Sequence, residues 1–124
     1  MLKFALNLAK RERFYKIYIL IMRLNRKFFN RETLIVAKDL LGKYLCRRIM
    51  GKTTRSKITE TEAYCGTKDK ASHASKGLTP RTKIMFGLPG HAYVYMIYGM
   101  YYCFNIITDR EGYPAAVLIR TAEI

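Results

Sequence analysis

With 124 residues, half of them apolar, the chain is long enough for one compact domain with a real core and too short for two ordinary ones. Its 23 Lys and Arg against 9 Asp and Glu give a formal net charge of +14, beyond what solubility requires. The charge points to a polyanionic partner, either a nucleic acid through phosphate neutralisation or an anionic membrane surface through a basic amphipathic helix. Cys46, Cys65 and Cys103 form no close pair, which argues against a disulfide framework and for a reducing cytoplasm. Cys65 and His73 are poorly spaced for zinc, and neither a metal nor a cofactor is expected.

The first candidate element, Phe14 to Leu24, is apolar but interrupted by Lys16 and Arg23, with no small-residue cleavage site after it, so neither a spanning helix nor a secretory signal fits. Residues 1–21 read as a basic, apolar N-terminal extension. It either precedes a start at Met22 or forms an amphipathic surface helix, and residues 22–124 read as the working domain. From Thr33 to Leu45 the apolar residues recur at three and four, the period of an amphipathic helix, with Gly42 marking its end or a bend. Lys43 to Met50 reads as a strand, Gly51-Lys52 as a turn, and Ile58 to Tyr64 as the returning strand of a hairpin.

Thr67 to Pro89, with Gly77, Pro80, Gly87 and Pro89 among basic and polar residues, reads as a loop with a short helical turn. Two β-prone runs follow, Ala92 to Tyr98 and Tyr101 to Thr108, joined by a tight turn at Gly99-Met100. Asp109 to Pro114 is a further turn and Ala115 to Thr121 an apolar strand. Helix in the first half and strands in the second predict an α+β domain on an antiparallel sheet. With the chain stopping at Ile124, the strand Val117 to Ile119 is expected to lack covering elements and to stand as an exposed edge.

Within Ile58-Thr59-Glu60-Thr61-Glu62-Ala63-Tyr64, a strand period of two puts Ile58, Glu60, Glu62 and Tyr64 on one face. Two carboxylates beside an aromatic, in a chain poor in acids, suit general acid or base work such as hydrolysis of a glycosidic bond. A charged strand edge is the structural alternative. Tyr93, Tyr95, Tyr98, Tyr101, Tyr102 and Phe104 crowd the second hairpin, where Tyr95 shares a face with Tyr93 and Ile97 while Tyr98 stands opposite beside the turn. Such rings can stack a planar base or wedge into a duplex, and they can equally fill a core. His73 offers a flat ring and a hydrogen bond near neutral pH, or is a surface loop residue. Arg120 and Asn105 are polar residues in apolar strands and need partners if buried. Arg120 could pair with Glu62 through water.

Glu60-Thr61-Glu62-Ala63-Tyr64, His73, Tyr93-Val94-Tyr95-Met96-Ile97-Tyr98-Gly99-Met100-Tyr101-Tyr102-Cys103-Phe104-Asn105-Ile106 and Val117-Leu118-Ile119-Arg120 together resemble the alkyladenine (3-methyladenine) DNA glycosylase family in order and spacing. Phe28-Phe29-Asn30-Arg31, Ala37-Lys38-Asp39-Leu40-Leu41-Gly42 and Thr79-Pro80-Arg81 extend the resemblance to about residues 24–124. It implies a single domain on a curved antiparallel sheet with flanking helices, like the formyltransferase C-terminal fold, and C-terminally incomplete. It also implies Glu62 as the base that activates water, with Arg120 helping to hold that water. Tyr64, His73 and Tyr95 would line the base pocket, Tyr98 would enter the minor groove in place of the flipped nucleotide, and Asn105 would reject guanine. The implied partner is double-stranded DNA carrying damaged purines, bound by a monomer in the cytoplasm or nucleoid, with no membrane. Two further readings stay open: a non-catalytic DNA-binding remnant, and a membrane-surface protein working through residues 1–27.

Overall fold

The computed structural model describes residues 2–6 and 22–124. The N-terminal extension, residues 1–21, for which an amphipathic surface helix is one of two readings, lies mostly outside those residues. In chain order the elements are β1 (Leu2–Leu6), β2 (Met22–Arg23), α1 (Arg26–Phe29), α2 (Thr33–Leu40), β3 (Tyr44–Ile49), β4 (Lys52–Cys65), β5 (Ala92–Ile97), β6 (Tyr101–Ile107) and β7 (Ala115–Glu123). Two short 3₁₀ helices, His73–Lys76 and Lys83–Phe86, break up the long loop between β4 and β5. The strands form one antiparallel sheet in the order β2-β1-β3-β4-β7-β6-β5, so the α+β expectation holds.

The amphipathic period of α2 seats it on one sheet face. Thr33, Val36, Ala37 and Leu40 are buried at helical spacing, while Leu34 and Ile35 on its other side are 53% and 45% exposed. The helix ends at Leu40, just before the expected end or bend at Gly42, which at φ +78° turns the chain and binds its N–H to the Ile58 carbonyl at 2.9 Å, so that Tyr44 and Leu45 enter β3. Under α1 and α2 the first core gathers Phe29, Val36, Leu40, Ile58, Ile106 and Val117. On the opposite face, beneath the 3₁₀ helices, a second core joins Ala74, Met85, Tyr93, Ile107 and Ala116.

β4 is the spine, pairing with β3 along its first half and with β7 along its second. Where it changes partner, between Ile58 and Thr61, its register slips at a bulge. The extra residue breaks the strict alternation that put Ile58 beside Glu62. Ile58 instead packs into the core under α2, Thr61 donates its hydroxyl to the Ala37 carbonyl at 2.9 Å on that same side, and Glu60, Glu62 and Tyr64 are left on the other face. The β3–β4 turn is Met50-Gly51, closed by the Ile49–Lys52 pair, one residue earlier than the expected Gly51-Lys52.

β7 is not an edge. The Thr108–Pro114 connection brings it back between β4 and β6, where Val117 is fully buried, and the sheet's outer strand on this side is β5. β6 pairs with β7 only from Asn105 to Ile107, so the β5–β6 hairpin projects beyond the sheet with Tyr98-Gly99 at its tip and Met100 N–H bound to the Ile97 carbonyl.

Candidate active site

Sheet register brings the acidic residues to a cation distant in sequence. Glu62 lies opposite Leu118 on β7, and Arg120 follows two residues later on the same face. Arg120 Nη1 is 2.9 Å from Glu62 Oε1 and its Nε is 3.9 Å from Glu60 Oε2. The Arg120–Glu62 link is thus a direct ion pair, where the sequence suggested a water between them. The other Glu62 oxygen accepts a 2.6 Å hydrogen bond from the Tyr64 hydroxyl, two residues along the same strand face. Glu60 is tied outward, accepting from Thr121 Oγ1 at 3.1 Å, and its side chain is 60% exposed against 37% for Glu62. That difference separates the two carboxylates: Glu62 is bonded to Tyr64 and half-buried, and Glu60 is turned to solvent.

The hydrogen bond to Glu62, with burial second, pushes the Tyr64 phenol up to about 12, so it remains a donor across the neutral range. Tyr64 forms part of a shallow cleft, open to solvent, with Tyr93, Tyr95, His73, Asn105 and Met85. His73 opens the first 3₁₀ helix, placed there by buried Ser72, whose side chain caps the Ala74 N–H. Its ring centroid lies 4.1 Å from that of Tyr95, and its Nδ1 lies 3.3 Å from the Tyr93 hydroxyl. Burial, then the positive charges of Arg81 and Lys76, lowers the His73 imidazole below its ordinary value, favouring the neutral ring.

Burial is also the main cause that pushes the Tyr95 phenol up to about 12. Its ring sits 5.2 Å from that of Tyr93, and the Arg81 guanidinium stands 5.7 Å from its centroid. Asn105 is only 3% exposed and satisfies one amide proton on the Tyr93 carbonyl at 3.2 Å. Six of the seven expected residues therefore converge on one face: Glu62 and Arg120 beside the cleft, and Tyr64, His73, Tyr95 and Asn105 within its lining. Tyr98 does not join them. It stands at the hairpin tip, 85% exposed at φ +52°.

Tyr93 and Arg81 were not singled out as site residues. Tyr93 holds both the His73 ring and the Asn105 amide, and its alternation with Tyr95 was the only sequence signal for it. Arg81 reaches Tyr95 only because the loop folds back over β5. Among the described residues no three His, Cys, Asp or Glu side chains converge as a metal site would need. Cys46, Cys65 and Cys103 are free thiols. No described helix is long and apolar enough to cross a membrane.

Comparison with known proteins places this arrangement in context. Residues 27–124 match the family model described as methylpurine-DNA glycosylase. The chain is 60% identical over 100 residues to a protein of Methanocella arvoryzae named "Putative 3-methyladenine DNA glycosylase", a match covering 81% of this chain and 50% of that protein. Proteins of the same name from Alkaliphilus oremlandii and Legionella pneumophila (strain Corby) are 56% identical over 103 residues and 55% over 101. These two matches each cover 82% of this chain, and 51% and 55% of those proteins. The chain thus spans about half the length of these curated relatives.

Proposed function

The chain belongs to the methylpurine-DNA glycosylase family, and from that premise we propose that it hydrolyses the N-glycosidic bond of damaged purines in duplex DNA after the nucleotide is flipped out of the stack. The single observation that carries this reading is Glu62, held by Arg120 at 2.9 Å and Tyr64 at 2.6 Å beside an aromatic cleft. Each carboxylate oxygen keeps a lone pair for a further donor, so Glu62 can accept a proton from a water aimed at C1′ while its two partners hold it still. As the water oxygen bonds to C1′, the C1′–N bond breaks and the base departs with the bonding electrons.

Selection lies in the cleft. A purine alkylated at N3 or N7 is cationic, attracted to the Tyr64 and Tyr95 rings by roughly 0.5–2 kcal/mol, and leaves as a neutral molecule. A neutral lesion such as hypoxanthine or ethenoadenine must gain a proton as it leaves. Asn105, fixed by the Tyr93 carbonyl, screens out guanine by collision with its amino group. Tyr98 fills the vacated space in the duplex. No lysine stands among the residues lining the cleft to form a Schiff base with the sugar, so the reaction stops at an abasic site without strand cleavage. In this reading the protein acts as a monomer on cytoplasmic or nucleoid DNA, with residues 22–124 as the working domain and 1–21 as an extension.

The test is single-turnover release of base from duplexes containing 3-methyladenine or hypoxanthine. The wild type should release free base, and Glu62→Gln should be slower by about 10²–10⁴-fold, the range for general base catalysis, with duplex affinity retained. Release that survives Glu62→Gln undiminished overturns the assignment. Because the chain spans half of its relatives, a second outcome has a meaning of its own: salt-sensitive duplex binding with no release by the wild type identifies a DNA-binding remnant.

A further inference from the structure

β4 carries Glu62 near one end and at the other a hairpin whose two-residue turn shares with the three-residue Tyr98 tip an exposed non-glycine and a glycine at positive φ. At the β3–β4 turn, Met50 and Gly51 have φ of +47° and +78°; at the β5–β6 turn, Tyr98 and Gly99 have +52° and +68°. Turns of this kind favour Asn or Asp at the first position, and a bulky residue there is strained. Among the described residues only Met50, Tyr98 and Asp109 are non-glycines at positive φ, and Asp109 is of the favoured type. Met50 is 101% exposed and Tyr98 85%, so neither offsets that strain by packing inside the molecule.

The charge around Met50 is of one sign. Lys43, Arg47, Arg48, Lys52, Arg55 and Lys57 fall between positions 43 and 57 with no Asp or Glu among them. All but Lys43 are exposed, and among the described residues the ion pairs fall to Arg31, Arg110 and Arg120, none to this hairpin. Ile58 faces α2, so Lys57 and Arg55 alternate onto the opposite face, the one that carries Glu62. Arg48, paired across the ladder with Thr53, shares it. From Lys52 to Glu62 the strand runs roughly 30 Å at about 3.3 Å per residue. One turn of B-DNA is about 34 Å.

We propose that the β3–β4 hairpin is a second duplex-binding arm, with Arg48, Arg55 and Lys57 on backbone phosphates about one helical turn from the flipped nucleotide and Met50 at a groove. This rests on the glycosylase reading for its choice of duplex DNA as the partner. Cation-lined ribbons with an apolar tip suit a groove flanked by phosphates, and each phosphate neutralised steepens the salt dependence of binding.

The experiment compares the full chain with the variant Arg48→Gln/Arg55→Gln/Lys57→Gln, and separately with Met50→Asn, on duplexes of about 12 and about 30 base pairs with a central lesion. Only the longer duplex extends a full helical turn from the lesion. The wild type should bind the longer duplex at least about tenfold more tightly, and the triple variant should lose that preference. Its slope of log affinity against log salt should fall by about 2–3, at roughly 0.9 per phosphate. Affinity for the short duplex and the release rate at saturating DNA should not change. Met50→Asn should weaken the longer complex alone.

Equal losses on both lengths, or none, overturn the proposal. So does binding to vesicles of phosphatidylserine and phosphatidylcholine that the triple variant loses while its duplex binding is intact. A wild type that prefers the longer duplex but releases no base leaves the arm standing and removes the glycosylase reading. A wild type that releases base, with a triple variant that binds both lengths as the wild type does, removes the arm alone.

Discussion

Glu62 and Glu60 are two residues apart on one face, yet one tyrosine and one arginine decide between them. Tyr64 donates to Glu62 and not to Glu60, and the shorter of the two Arg120 contacts is also to Glu62. His73 carries a consequence that stability measurements can read. Unfolded, it titrates near its ordinary value of 6.5; in the fold, burial and then Arg81 and Lys76 hold it lower. On acidification the unfolded chain therefore takes up the proton first. The stability contributed by neutral His73 is present above about pH 6.5 and is lost as pH falls through that value and then through the folded one. Melting temperatures at pH 8 and pH 5 should show a larger fall for the wild type than for His73→Gln, and identical falls would refute the role given to the half-buried ring. These residue-level choices were partly legible. The Glu62–Tyr64 face follows from strand period, but the direct Arg120 contact spans 58 positions and depends on sheet register.

The β5–β6 hairpin is built for contact outside the molecule. It pairs with β7 only from Asn105 onward and carries Tyr98, Met100, Tyr101 and Tyr102, ahead of that pairing, at 60–85% exposure. Tyr98→Asn sets two effects against each other. Asn suits positive φ better than Tyr, so the melting temperature should hold or rise slightly, while loss of a stacking ring worth roughly 1–3 kcal/mol should weaken lesion-duplex binding about tenfold or more. Circular dichroism melts and equilibrium binding on the same preparation check both signs, and unchanged affinity would show that the ring does not enter the duplex. At this scale the sequence was informative for β3, β5, β6 and the amphipathic face of α2. It marked Gly42 as the end or bend of α2 but missed the bulge in β4, which arises outside the local segment, where β4 changes its neighbour from β3 to β7.

Across the whole sequence 23 Lys and Arg stand against 9 Asp and Glu, a formal net charge of +14. Association with undamaged duplex should therefore be electrostatic. With about six phosphates neutralised, affinity should fall by about 10³-fold between 50 and 200 mM salt, whereas Glu62→Gln should follow the same salt curve as the wild type. Fluorescence anisotropy at graded salt measures this, and a flat response would mean that the positive charge serves another partner. The sheet's order also changes how the chain's last strand is understood. β7 reads as an unprotected edge when met at the end of the sequence, but it is the strand that joins the β4 carboxylates to the β6 lining of the cleft.

By itself the sequence determined which side chains were available and their local periodicity. Period two in β4 and β5 set Glu62 with Tyr64 and Tyr93 with Tyr95, and the excess of Lys and Arg set the sign of the partner. Only the tertiary structure decided which carboxylate meets Arg120, that Tyr93 supports both His73 and Asn105, that Arg81 reaches Tyr95, and that β7 lies inside the sheet. Local patterns follow from backbone geometry over a few residues. Contacts between segments tens of positions apart depend on strand order and on a one-residue slip in register, and neither leaves a periodic trace in the chain.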